Sequence, residues 1–181
     1  MYKITVDCMA EALEHLATQP LPNPEQVFPW MHGLHQENQT QLAFFSSHRK
    51  SLRRVPECIR SITVVKSSGN LSFSKLKGAL APDEILDCVS DDAPEFIECD
   101  PKDGFSVRNF QIQACKLATV SDIIVYGDHR TSLDHTIKIA QRISRAQRHH
   151  EETHGFPTYR FNTFVLQGGW FPFSPCVLDR S

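Results

Sequence analysis

The alternation of apolar and polar positions divides the chain into a βα succession. The clearest strand is Asp122-Ile-Ile-Val-Tyr126, a short β-branched run bounded by polar residues. The clearest helix follows the loop Gly127 to Ser132. Leu133, Ile137, Ala140, Ile143 and Ala146 recur there at helical spacing, while Lys138, Arg142, Arg145 and His149 line the opposite face. Upstream, Ile62 to Val65 predicts a strand. Ala81 to Cys88 predicts a helix, opened by Pro82-Asp-Glu because Pro suits the first turn and acids suit the helix dipole there. Phe96-Ile-Glu-Cys99 predicts a strand entering the loop Asp100 to Gly104, and Thr163-Phe-Val-Leu166 a last strand before Gly168-Gly169. Strands separated by helical segments predict a mostly parallel α/β sheet flanked by helices.

Residues 1–26 add a predicted helix, Asp7 to Thr18, and a linker containing Pro20, Pro22 and Pro24, each of which fixes φ and removes a donor. This predicts an irregular N-terminal extension ahead of a single domain over 27–181. That domain opens on an aromatic-rich stretch whose Trp30, Phe44 and Phe45 are candidate core plugs. Internal repeats and low-complexity tracts are absent from the sequence.

Composition narrows the function classes. The chain has 181 residues, 40% hydrophobic and 22% charged, and a formal net charge of −2. Such a balance excludes wholesale disorder and gives no global attraction to nucleic acid or to an anionic membrane. No apolar run approaches the roughly 20 residues of a membrane span, and the N-terminus lacks the apolar core of a secretory signal. The expected location is the cytoplasm or nucleus, where Cys8, Cys58, Cys88, Cys99, Cys115 and Cys176 would stay free thiols. Charge is locally uneven. Arg49, Lys50, Arg53, Arg54 and Arg60 form a basic stretch, and an acidic stretch runs from Asp83 to Asp103. The plain reading is two solvated faces of opposite sign; the functional one is a partner-binding surface.

Ligands of parallel α/β sheets bind where strands end and helices begin. That rule selects Gly127, Asp128, His129, Arg130, Thr131 and Ser132, whose backbone N–H groups and Arg130 side chain could hold an oxyanion. The ordinary alternative is a solvated loop in which Asp128 caps locally. An Asp128 nucleophile beside His129 and Arg130 is chemically conceivable, but nothing in the sequence supplies the metal or second acid it would need. His32 with His35, and His149-His150 with His154, complete no recognised zinc pattern. No cofactor or metal is expected.

The succession Lys77-Gly-Ala-Leu-Ala-Pro-Asp-Glu-Ile-Leu86, Phe96-Ile-Glu-Cys-Asp100, Asp122-Ile-Ile-Val-Tyr-Gly127 and Phe164-Val-Leu-Gln-Gly-Gly-Trp170 resembles a rhodanese-like domain. The stretch Phe28-Pro-Trp-Met-His-Gly-Leu-His35 through Gln41-Leu-Ala-Phe-Phe45 resembles the amino-terminal region of fungal dual-specificity protein phosphatases. Active relatives need a loop cysteine, five residues, then arginine, so that a thiolate attacks and a guanidinium holds the oxyanion. The matching positions here are Gly127 and Leu133. Six residues beyond Cys8, Cys58, Cys88, Cys99 and Cys115 lie Glu14, Val64, Pro94, Phe105 and Ser121, and six beyond Cys176 runs past residue 181, so no cysteine has the signature within these residues.

The resemblance therefore implies a non-catalytic binding or regulatory domain that engages a protein partner, a kinase or a phosphoprotein. A basic cluster followed by hydrophobics, Arg53-Arg54-Val-Pro-Glu-Cys-Ile59 and Ile62-Thr-Val64, is similar in style to kinase-docking segments of MAP-kinase phosphatases. The alternative is an active phosphatase whose catalytic cysteine and arginine lie on a further domain outside these 181 residues. Sulfurtransfer is a third reading, and it too needs the cysteine that Gly127 replaces.

Overall fold

The computed structural model describes residues 1–20, 61–73, 75–87, 94–97, 112, 114–155 and 160–167. Four strands, β1 (Tyr2–Thr5), β2 (Ser61–Lys66), β3 (Ser121–Tyr126) and β4 (Thr163–Gln167), form one sheet in the order β1-β4-β3-β2. Every pair is parallel, with Tyr2 opposite Phe164, Ile123 opposite Thr163 and Ser61 opposite Ser121. Among the described residues four helices accompany them: α1 (Val6–Thr18), α2 (Pro82–Ile85), α3 (Ala114–Thr119) and α4 (Leu133–His154). The α/β expectation holds.

Pleating gives the sheet two apolar faces. Val65, Ile123, Val125 and Val165 face a core completed by Leu117 and Ala118 of α3 and by Ile139, Ala140, Ile143 and Ala146 of α4. Val64, Ile124, Tyr126 and Leu166 face the other way, against Met9 of α1 and Leu76. Full burial of one such aliphatic side chain contributes about 1.5–3 kcal/mol, which anchors α4 to the sheet face beneath it. Gln147 adds a polar tie. Its amide donates to the Leu117 and Ser121 carbonyls at 3.1 and 3.3 Å and accepts from Thr163 Oγ1 at 2.7 Å, so one side chain joins α4, α3, β3 and β4.

The differences from the sequence pattern have local causes. Thr5 caps α1, its hydroxyl accepting from Cys8 N at 3.3 Å, and the residues before it join the sheet as an edge strand that the pattern did not predict. Alternation is weak there because an edge strand buries little: only Ile4 is half-buried. The helix expected over Ala81–Cys88 closes at Ile85, and Leu86 instead forms an antiparallel bridge with Phe96. Phe96 and Ile97 thus reach the fold as one bridge, and Cys99 lies outside the described residues. Helix α4 buries Ile139 with Ala140, Ile143 and Ala146, whereas Leu133 at its first position is exposed. Trp30, Phe44, Phe45 and the Gly168-Gly169 turn lie outside the described residues.

Candidate functional site

Because all strands run parallel, the loops that follow β2 and β3 lie at the same edge of the sheet. Pairing continues one step past the end of β2, with Ser67 N donating to the carbonyl of Tyr126, the last residue of β3, at 2.9 Å. Lys66 closes β2 and is fully buried. Its three N–H donors have three acceptors: the Asn70 carbonyl at 2.8 Å, the Phe73 carbonyl, and Asp128 Oδ2 at 3.0 Å. An ammonium so engaged has no proton left for a ligand.

Asp128 receives the rest of the loop. Oδ1 accepts from Thr131 Oγ1 at 2.8 Å and from Arg130 N at 3.0 Å, while Ser68 Oγ lies 3.4 Å from Oδ2. Thr131 N donates back to the Asp128 carbonyl at 3.0 Å, which completes an Asx-type turn. Burial opposes the charge on this carboxylate. The Thr131 hydroxyl, the Lys66 ammonium and Arg130 N together overcome burial and hold it well below the usual carboxylate range. Asp128 is therefore an ionised carboxylate sitting where a bound anion would sit. The cradle that strand-end geometry suggested is filled from within the loop.

Its neighbours are equally committed. Ser132 caps α4, its hydroxyl accepting from His135 N at 3.2 Å. Thr136 Oγ1 donates to the Ser132 carbonyl at 3.2 Å and lies 3.0 Å from Ser67 Oγ. His135 Nε2 pairs with the Ser67 carbonyl at 3.0 Å, which ties α4 to the end of β2. His129 and Arg130 point outward, with Arg130 Nε donating to His129 Nε2 at 3.2 Å. Below the loop, Tyr126 Oη accepts from Leu76 N at 2.9 Å. Burial raises its phenol pKa, the Leu76 contact opposes that shift, and the Asp128 charge adds to it.

Gly127 is required sterically. A Cβ there would lie 2.9 Å from Thr136 Oγ1 and 3.2 Å from Thr131 Cβ, closer than side chains pack. Thr136 cannot easily yield, because two contacts pin its hydroxyl. A side chain at position 127 would thus displace the base of the loop, and Leu133, six residues on, projects into solvent.

The six loop residues are accordingly brought together, but as a closed turn. Lys66 and Ser68 belong to the same cluster and were missed by the sequence reading. The available signal was a lysine ending an apolar β-run at the edge where ligands bind. Arg49, Lys50, Arg53, Arg54 and Arg60 lie outside the described residues. Among the histidines, His149 Nε2 meets Glu95 Oε1 at 3.2 Å, and the His150 and His154 rings stack at 4.2 Å. No group of three or more potential metal ligands occurs among the described residues, nor does any of their helices have the length and apolarity to cross a membrane. No protein-family model, curated protein or solved structure matches the chain.

Proposed function

We propose that this chain is a non-catalytic rhodanese-like domain, related to fungal dual-specificity phosphatases, that works by engaging a protein partner. The observation that carries the reading is the Asp128 carboxylate in the strand-end loop, held by Lys66, Thr131 and Arg130 N. A loop that binds its own carboxylate has its donors consumed and repels a second anion. A carboxylate with two donors on each oxygen is also a poor nucleophile, since attack would strip those bonds. With glycine at position 127, the loop lacks the thiolate on which phosphoryl or sulfur transfer by active rhodanese-like relatives depends.

The partner reading draws on the basic run Arg49, Lys50, Arg53, Arg54 and Arg60, followed by apolar residues. Charge steers the encounter with an acidic groove, and apolar anchors set the residence time. A kinase with an acidic docking groove fits this chemistry. The test has two arms. The purified chain should turn over neither an aryl phosphate nor thiosulfate; turnover that Asp128→Asn abolishes would overturn the non-catalytic reading. The same chain should bind a purified MAP kinase with salt-sensitive affinity. Undiminished binding by the Arg53→Glu, Arg54→Glu double variant would overturn the docking surface.

A further inference from the structure

Where β2 and β3 end, four donors converge on one carboxyl position and divide evenly between its two oxygens. Thr131 Oγ1 and Arg130 N meet Oδ1 of Asp128 at 2.8 and 3.0 Å; Lys66 Nζ and Ser68 Oγ meet Oδ2 at 3.0 and 3.4 Å. Lys66 and Thr131 are buried, so half of these donors come from inside the fold. The Asp128 side chain is 12% exposed, which leaves the position within reach of solvent.

Most of this arrangement does not depend on the Asp128 side chain. The turn is closed by backbone, with Thr131 N donating to the Asp128 carbonyl at 3.0 Å. Lys66 Nζ is held in place by the Asn70 and Phe73 carbonyls, and Asp128 supplies the carboxylate that balances its charge among the described residues. Without that carboxylate, the third N–H of a fixed, buried ammonium would face the emptied position. An unpaired buried ammonium is strongly unfavourable, and any anion that fills the gap relieves the penalty.

We propose that this cradle is an autoinhibited receptor for small carboxylates: Asp128 occupies it in the native chain, and removing the Asp128 side chain opens it to formate from solution. Two oxygens with two donors each match a planar carboxylate, and charge-assisted hydrogen bonds of this kind are the strong ones. Size is limited beside Gly127, where a single added Cβ would lie 2.9 Å from Thr136 Oγ1 and 3.2 Å from Thr131 Cβ. Formate, the smallest carboxylate, is the ligand that such a space admits. The inference rests on the same closed loop as the proposed function, yet the two fail separately. Turnover by the wild-type chain would overturn that function and leave formate binding standing.

Thermal unfolding of the purified Asp128→Gly chain, titrated with sodium formate and with sodium chloride at equal ionic strength, tests the cradle. Formate should raise its Tm saturably above the chloride curve, as a ligand that binds only the folded state does. The wild-type chain has its donors consumed and should show only a general, non-saturating salt response. Removing the ammonium as well, in the Lys66→Met, Asp128→Gly double variant, should abolish the saturable formate effect. Matching formate and chloride curves for Asp128→Gly would overturn the cradle, and so would a saturable response that survives in the double variant. Should Asp128→Gly be unfolded in chloride, far-UV circular dichroism in formate decides instead. Recovery of helix that the double variant does not share supports the cradle, and a chain unfolded in both salts overturns it.

Discussion

Gly127 and Thr136 illustrate how little room the loop has. Replacing Gly127 by Ala forces a Cβ against Thr136 Oγ1, and overpacking of this kind costs about 1–3 kcal/mol. Thr136→Ala removes the atom that is struck, so the two substitutions should combine to less than the sum of their separate costs. Urea denaturation of the four proteins in that cycle checks it, and strict additivity would show that the contact is relieved elsewhere. Asp128 is the second pressure point. Asp128→Asn leaves the buried Lys66 ammonium without its counter-charge, and loss of one member of a buried pair costs about 3–5 kcal/mol. The sign of the pH effect follows from the lowered pKa of Asp128. Its stabilising contribution is fully present above the ordinary aspartate value of about 3.9 and is lost as pH falls through the lower folded value. Acid titration of stability should therefore flatten at low pH in Asp128→Asn relative to wild type.

At the scale of elements, α4 carries most of the load. Its capping hydroxyl on Ser132 satisfies His135 N, and Ser132→Ala should lower stability by about 1 kcal/mol. Circular dichroism at 222 nm during thermal unfolding reads the loss. A larger effect would mean that the Thr136 contact to the Ser132 carbonyl is disturbed as well. The periodicity of α4, the β-branched runs of β2, β3 and β4, and the helix stop near Thr18 were all legible in the sequence, because burial on one face or both imposes its own period. Other features were not legible for equally physical reasons. β1 sits at an edge and buries too little to alternate. α2 is a single turn between bridges, shorter than any periodicity can signal. The loop itself was selected correctly as a strand-end turn, and Asp128 as a local cap. Its pairing with Lys66 depends on β2 and β3 lying side by side, which no residue spacing encodes.

Across the whole molecule, two ionisable groups of opposite behaviour sit on opposite edges of one sheet. Asp128 favours folding when charged, whereas Glu151 favours it when neutral, since burial raises its pKa. A raised carboxyl pKa means that the folded chain holds the proton more tightly than the unfolded one. Stability linked to Glu151 thus rises as pH falls from above its folded value towards the ordinary glutamate value of about 4.3, the reverse of the Asp128 trend. Comparing wild type with Glu151→Gln across neutral to mildly acidic pH should show the variant's advantage shrinking on acidification. A constant difference would mean that Glu151 is ionised equally in both states.

The strand order also governs when the sheet can be completed. β1 emerges from the ribosome before the other three, yet among the described residues its partner strand, with Tyr2 opposite Phe164, is β4, which emerges last of the four. Until then β1 lacks β4 beside it, and of its two described neighbours β3 can pair only with β2. Such long-range closure slows folding and leaves an unpaired β3 edge open to other chains while synthesis proceeds. A nascent chain halted before Thr163 should therefore be protease-sensitive throughout β1 and α1, and release of β4 should protect both together.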